Sequence, residues 1–308
     1  MGASLSHHTG SNVPPGAATA RLAAGTEQRL RAATGLLLPL DEELALLAGL
    51  QEFELGRFLL HNAGLNGYWT SYVFRYQPGD PTATALEHWL LNRSLLAGIR
   101  ERFQRFRALI AREAASGAVL ASVPCGVMDD LLSQDYADVA GLRLIGVDID
   151  AESVDLAAKN AARRGMSEHC QFLVRDAWQL GLDSEADLLV SNGLNMYEPD
   201  RDRLVGLYRN FRQALRPGGK LLVSFIPAPP PPPWAQPAHA AAWARYGIGE
   251  ADLRRDMAVF GDILQPRYLN FTSEQEFRAQ AAEAGLVVTG ISRNAGGALP
   301  IATAVRPR

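Results

Sequence analysis

The apolar positions of this chain change period near residue 117. From about Thr26 to Ala115 they recur at the three- and four-residue spacing of helices; from Ala118 onward short apolar runs alternate with helical stretches. In the first part, Asp41 can cap a helix bearing Leu44, Leu47, Leu50, Phe53, Phe58 and Leu59, with Gly64 as its stop. A second helical run, from about Thr84 to Ala115, carries Leu86, Trp89, Leu90, Leu95, Ile99, Phe103, Phe106 and Ile110. The aromatic stretch 65–76 between them is closed by Pro78-Gly79-Asp80-Pro81, which predicts a connection or a short helix.

Beyond Ala118 the apolar runs read as strands. They are Ala118–Val123, Leu142–Val147 (ending in Asp148), Cys170–Val174 (ending at Asp176), Ala186–Ser191 and Lys220–Ile226. Two more, at about 286–292 and 299–305, flank a loop with Gly296-Gly297 and predict a hairpin. Such alternation predicts an α/β fold with a doubly wound, mainly parallel sheet covered on both faces. Thr272 or Ser273 caps the helix that Gly285 stops, and Ser273 with Glu276 has capping-box spacing. The proline-dense stretch Pro227–Pro237 lies directly after a core strand, so it reads as a stiff connector to a lid rather than an SH3-type ligand. The organisation expected is a disordered tail at 1–25, a helical cap region at 26–116 and a main domain at 117–308 with a lid insertion at about 227–270. His7-His8 in the tail carry no metal expectation.

Composition narrows the function. The 308 residues are 47% hydrophobic and 20% charged, with a net charge of -3, unlike the electropositive footprint of a nucleic-acid binder. Cys125 and Cys170 make neither a metal spacing nor a disulfide framework, which suits a reducing cytoplasm. No basic segment leads into a long apolar run, and no stretch approaches about 20 apolar residues, so neither a signal peptide nor a membrane span is expected.

The richest unit is Ala118–Asp150: strand, turn at Pro124-Cys125-Gly126, helix from about Asp129, then a strand ending in Asp148. An acid at that tip accepts hydrogen bonds from ribose hydroxyls in nucleotide-binding folds. Asp148 could instead cap the next helix, but Asp150 is better placed for that. Further on come Gly146-Val147-Asp148-Ile149-Asp150, Arg175-Asp176-Ala177-Trp178 and Leu215-Arg216-Pro217-Gly218-Gly219-Lys220-Leu221, then the capped helix ending Glu283-Ala284-Gly285-Leu286 and the terminal hairpin.

In that order, from about 118 to 306, the chain resembles the class I S-adenosylmethionine (SAM)-dependent methyltransferases. The resemblance implies a seven-stranded sheet with an antiparallel last strand and SAM as cofactor, with no metal demanded. It implies that the Ser122–Met128 turn, including Pro124, Cys125 and Gly126, passes under the methionine part of SAM. Asp148 would accept the ribose hydroxyls and Ile149 would pack on adenine. Asp176 would take the adenine amino group, beside Ala177 and Trp178, and Asn192 would face the methionine portion. Asp176 also reads as a turn residue, and Ile149 and Trp178 as core. The family's acid and three spaced glycines are here Ser122, Pro124, Gly126 and Met128. That loss counts more against a dinucleotide site than against SAM, and leaves the methionine ammonium to Asp129 or another acid.

The segment after the fourth strand, Ser191–Glu198, is not the Asn-Pro-Pro-aromatic sequence used on exocyclic amines, which favours a small-molecule acceptor at O or N. Asn195, Tyr197, Glu198 and Tyr72 are the substrate-alignment candidates; Glu198 reads equally as a helix cap. Tyr68, Trp69, Tyr72 and Tyr76 read either as a lid or as a cluster joining two helices. Arg75 or Arg93 are weak candidates for a substrate carboxylate. Cys125 has no evident partner base, so a nucleophile is not expected there. A catalytically silent, partner-binding protein and an NAD-dependent oxidoreductase are the alternatives. A homodimer is left open.

Overall fold

The computed structural model describes residues 16–266, 269–293 and 299–308, which fall into two units: 16–100 with 230–266, and 101–229 with 269–308. His7-His8 and Gly296-Gly297 lie outside the described residues.

The first unit is helical. Its opening helix, Gly16–Ala32, begins inside the expected tail, which corrects the boundary at 25. Alanine is the strongest helix former, and this segment places Thr19, Ala23 and Leu30 on one buried face. The long helix expected from Asp41 is two, Leu40–Leu50 and Glu54–Asn62, and Asp41 stands in the first turn rather than at the cap. Asn66 caps a short helix, Gly67–Arg75. Thr84 caps Ala85–Arg93, and the run then breaks at Ser94, whose hydroxyl donates to Leu90 O.

The segment 230–266 packs within this unit and is not an appendage of the sheet, contrary to the expected domain plan. Ala258, Val259, Ile263 and Leu264 of a π-helical stretch, Ala258–Leu264, share one core with Leu30, Leu46, Leu50 and Phe58. Polar ties reinforce it: Trp89 Nε1 donates to Asp252 Oδ1 (2.9 Å) and Leu95 N–H to Asp256 Oδ2 (3.0 Å). The apolar contact area, and not the order along the chain, therefore sets the domain membership.

The second unit begins within the helix Leu95–Ala111 and is a doubly wound α/β fold. Its seven strands are β1 (Val119–Ser122), β2 (Arg143–Asp148), β3 (Cys170–Val174), β4 (Ala186–Ser191), β5 (Leu215–Ser224), β6 (Val287–Ser292) and β7 (Ile301–Val305). They lie in the order β3-β2-β1-β4-β5-β7-β6, with β7 antiparallel to both neighbours and the other pairings parallel. The central strands are buried on both faces, which is why they read as nearly continuous apolar runs. One face packs Ala121, Val123, Leu189 and Val223 against Leu207, Tyr208 and Phe211 of the helix Arg201–Ala214 and Phe277 of the helix Glu274–Glu283. The other packs Leu120, Leu144, Val190 and Leu222 against Phe106 and Ile110 of the long helix and Ala157 and Ala161 of the helix Ala151–Arg163.

Side chains cap the starts of these helices. Asp150 accepts from Glu152 N–H and Ser153 N–H, Asp200 from Asp202 N–H and Arg203 N–H, and Ser273 with Glu276 forms the capping box. The strands consequently deliver the ends of β1, β2 and β4 to one edge of the sheet. That carboxyl-end edge is where open α/β folds bind ligands.

Candidate cofactor and substrate site

The turn after β1 is tied to its neighbours by backbone bonds. Val123 N–H donates to Val190 O of β4 and Cys125 N–H to Val147 O of β2. The Val123–Pro124 peptide is cis. Gly126 (φ +50°) and Met128 (φ +59°) both adopt the left-handed region, so Met128 holds a conformation that favours glycine. The turn settles closely on β2 because residue 146 is glycine: a β-carbon there would stand 2.8 Å from Met128 Sδ and 3.2 Å from Cys125 Sγ.

Asp148 ends β2 and faces this turn. Gly126 N–H donates to its Oδ2 (2.8 Å) and Asp150 N–H to its Oδ1 (3.0 Å). Burial raises the carboxyl pKa, while those N–H groups pull it back. Asp150, not Asp148, is the helix cap. Ile149 beside it is 43% exposed, an apolar side chain left open at the strand tip. Burial, with the charge of Asp148 second, pushes the Cys125 thiol pKa up, which leaves it a poor nucleophile.

Ser122 is buried at the end of β1, and its hydroxyl donates to Asp130 Oδ2 at 2.7 Å. Asp130 stands in the short helix Asp129–Leu132, and burial pushes its carboxyl up to about 6. Its neighbour Asp129 turns elsewhere, accepting from Asn160 Nδ2 (3.1 Å).

At the end of β4, Asn192 Oδ1 accepts from Ser224 Oγ (3.4 Å), while its Nδ2 is buried without a hydrogen-bond partner among the described residues. Asn195 Nδ2 donates to Tyr208 Oη (2.9 Å), and its Oδ1 is likewise buried without a partner.

Residues 126–219 match the model of a methyltransferase domain family, on a sheet with the strand order given above. The chain carries a methyltransferase domain with the class I SAM-dependent fold. A solved structure described as a possible exported protein from Bordetella parapertussis is 36% identical to this methyltransferase. The likeness covers 96% of this chain and 98% of that one, with a TM-score of 0.87. Magnesium protoporphyrin IX methyltransferase from Synechocystis PCC 6803, solved with bound S-adenosylhomocysteine (SAH), is similar in fold. It is 16% identical over 78% of this chain and 94% of that chain, with a TM-score of 0.51. No curated protein matches the chain.

The residues present fit SAM at its nucleoside end. A carboxylate has about four acceptor positions, and Asp148 spends two on backbone N–H groups. Among the described residues, no group of three or more His, Cys, Asp or Glu side chains is placed to hold a metal ion, and no helix is long and apolar enough to cross a membrane.

Other expected site residues are committed to structure. Asp176 caps a short 3₁₀ helix, Ala177–Gln179, its Oδ1 accepting from Trp178 N–H (2.9 Å). Ala177 is buried in the sheet's core, where Trp178 also packs. Trp178 Nε1 donates to Arg203 O, and the Arg203 guanidinium lies 5.1 Å from the ring centre. Glu198, offered as a substrate aligner, instead accepts from Asp200 N–H (3.0 Å) and Arg203 Nε (2.6 Å), which locks the entry to the helix Arg201–Ala214. Tyr197 is half-buried; burial raises its hydroxyl pKa, and Arg102 lowers it. Tyr72 belongs to the helical unit, where its hydroxyl donates to Glu87 Oε1 (2.9 Å) and its ring meets Trp69 edge-on at 5.4 Å. Tyr76 Oη accepts from Asn92 Nδ2. Tyr72 and Tyr76 thus link the segment 67–76 to the helix Ala85–Arg93. Arg93 pairs loosely with Asp252 at 3.8 Å. Sequence reasoning missed Arg102 and Asp130; the spacing of Ile99, Arg102 and Phe106 along one helical stripe was the available signal for the first.

Proposed function

We propose that this methyltransferase transfers a methyl group from SAM to an oxygen or nitrogen atom of a small-molecule metabolite. The observation that carries it is Asp148, a carboxylate at the tip of β2 held by Gly126 N–H from the turn after β1, with acceptor positions left for ribose hydroxyls. Exposed Ile149 gives adenine an apolar surface. Asp130, carried on Ser122, supplies the negative charge for the methionine ammonium in place of an acid at the strand end. When bound, SAM supplies an electrophilic methyl group for in-line displacement, so the protein's task is alignment of the acceptor. Asn195 Oδ1 and Tyr197 are the β4-end groups offered to that acceptor; Glu198 is engaged elsewhere. The acidic balance and the Ser191–Glu198 sequence support a small molecule over nucleic acid. Free thiols at Cys125 and Cys170 support a reducing, cytoplasmic setting.

Isothermal titration of the full chain with SAM, SAH and NAD tests the cofactor reading. SAM and SAH should bind, NAD should not, and Asp148→Ala should abolish binding. Undiminished binding by Asp148→Ala, or none by the wild type, overturns it. Incubation with methyl-labelled SAM and a cell extract tests the acceptor: label should appear in the small-molecule fraction, and label confined to protein or nucleic acid sinks the proposal.

A further inference from the structure

Arg102 is 4% exposed, yet among the described residues neither its Nε nor its Nη1 has a hydrogen-bond partner. No carboxylate among the described residues pairs with it: the charged or titratable groups acting on it are Tyr197, which favours its charge, and Arg105, which opposes it. Burial pulls its pKa down to about 10, so it still carries a full positive charge at neutral pH. Buried cations are ordinarily paired, because removing them from water is costly without a compensating anion. Buried donors are ordinarily satisfied too, so two open donors on one guanidinium call for an explanation.

The surroundings give one. A β-carbon on Gly193 (φ +96°) would stand 3.4 Å from Arg102 Nη2, so the guanidinium lies against the backbone turn that leaves β4. That turn is at the carboxyl-end edge of the sheet, where substrates enter in this architecture. The preceding residue, Asn192, contributes Nδ2, a further buried donor with no acceptor among the described residues. Asn192 and the guanidinium therefore offer unpaired donors and a positive charge beside one turn, a combination suited to an oxyanion.

We propose that Arg102, with Asn192, forms an anion subsite that receives the carboxylate of the methyl acceptor. This rests on the methyltransferase reading above and adds the acceptor's chemical class: a small carboxylic acid methylated at another position. Gly193 is favoured there because its φ of +96° is one that L side chains rarely adopt.

The test uses the full-length protein saturated with SAH and three probes: benzoate, phenyl phosphate and neutral benzamide. SAH binding itself is measured first, so failure of the cofactor reading is seen separately. Benzoate should bind measurably and benzamide should not, and Arg102→Gln should weaken benzoate at least about 10-fold while leaving the Kd for SAH unchanged. Tighter binding of phenyl phosphate than benzoate would reject the carboxylate, and equal benzoate affinity in Arg102→Gln would reject the subsite. Should Arg102→Gln fail to fold, nuclear magnetic resonance of the wild type decides: the Arg102 Nε–H signal, identified by its loss in Arg102→Lys, should shift on benzoate addition. An unmoved signal overturns the proposal.

Discussion

Ser122 Oγ donates a 2.7 Å hydrogen bond to Asp130 Oδ2, joining the last residue of β1 to the first turn of the following helix. The serine occupies the position at which the family resemblance expects an acid, and the bond brings a carboxylate to it from eight residues along the chain. Asp130→Asn keeps the size and a partner for Ser122 but removes the charge. It should weaken SAM binding about 10- to 100-fold, the worth of one charge-assisted hydrogen bond. Methylthioadenosine, which lacks the amino-acid portion, should bind wild type and variant equally. Titration calorimetry with both ligands checks this, and equal losses for the two would remove Asp130 from the ammonium site.

The same carboxylate should leave a signature in stability. Burial holds Asp130 at about 6, whereas an unfolded aspartate titrates near 3.9. Between those values the folded chain keeps a proton that the unfolded chain has released, so its contribution falls as pH rises through the folded value. From pH 7.5 down to 4.5 the wild type should gain about 2 kcal/mol relative to Asp130→Asn. Other buried acids, Asp148 and Asp256, titrate in both proteins and cancel in the difference. Urea unfolding at the two pH values measures it; a flat difference would contradict the assignment.

The sheet was legible because buried parallel strands announce themselves as apolar runs, and two of its helix starts because Asp150 and Ser273 are capping residues in capping positions. Domain membership was not. Ala258, Val259, Ile263 and Leu264 follow a core strand in sequence but bury with Leu30 and Phe58, and such long-range apolar pairing has no local signal. The site divided in the same way. Asp148 was readable from its place at a strand tip, whereas Arg102 looked like one surface arginine among many, since burial of a charged side chain depends on what packs over it. Glu198 is engaged for a local reason: Arg203, one helical turn on, binds its carboxylate.

Met128 offers a contest between strain and burial. Its φ of +59° costs about 1 kcal/mol for a residue other than glycine, yet its side chain is fully buried beneath Gly146. Removing a buried methionine side chain costs about 2–5 kcal/mol. Met128→Gly should therefore destabilise the protein by about 1–4 kcal/mol despite relaxing the backbone. Thermal unfolding should show Tm lower by about 2–4 °C for each kcal/mol lost. A raised Tm would mean that the turn's strain dominates.

Tyr72 separates the two readings of the aromatic segment. Its hydroxyl donates to Glu87 Oε1, and Glu87 is 5% exposed, with Oε2 accepting from Ala83 N–H. Tyr72→Phe leaves one oxygen of that buried carboxylate without its donor, at a cost of about 1.5–3 kcal/mol. The Trp69 edge contact survives, because the ring is retained. A tyrosine that only ties helices together should therefore show a lower Tm and an unchanged Kd for SAH. A residue that closes over the cofactor should show the reverse, with Tm preserved and SAH binding weakened. The buried Glu87 partner favours the first outcome, and measuring both quantities on one preparation decides between them.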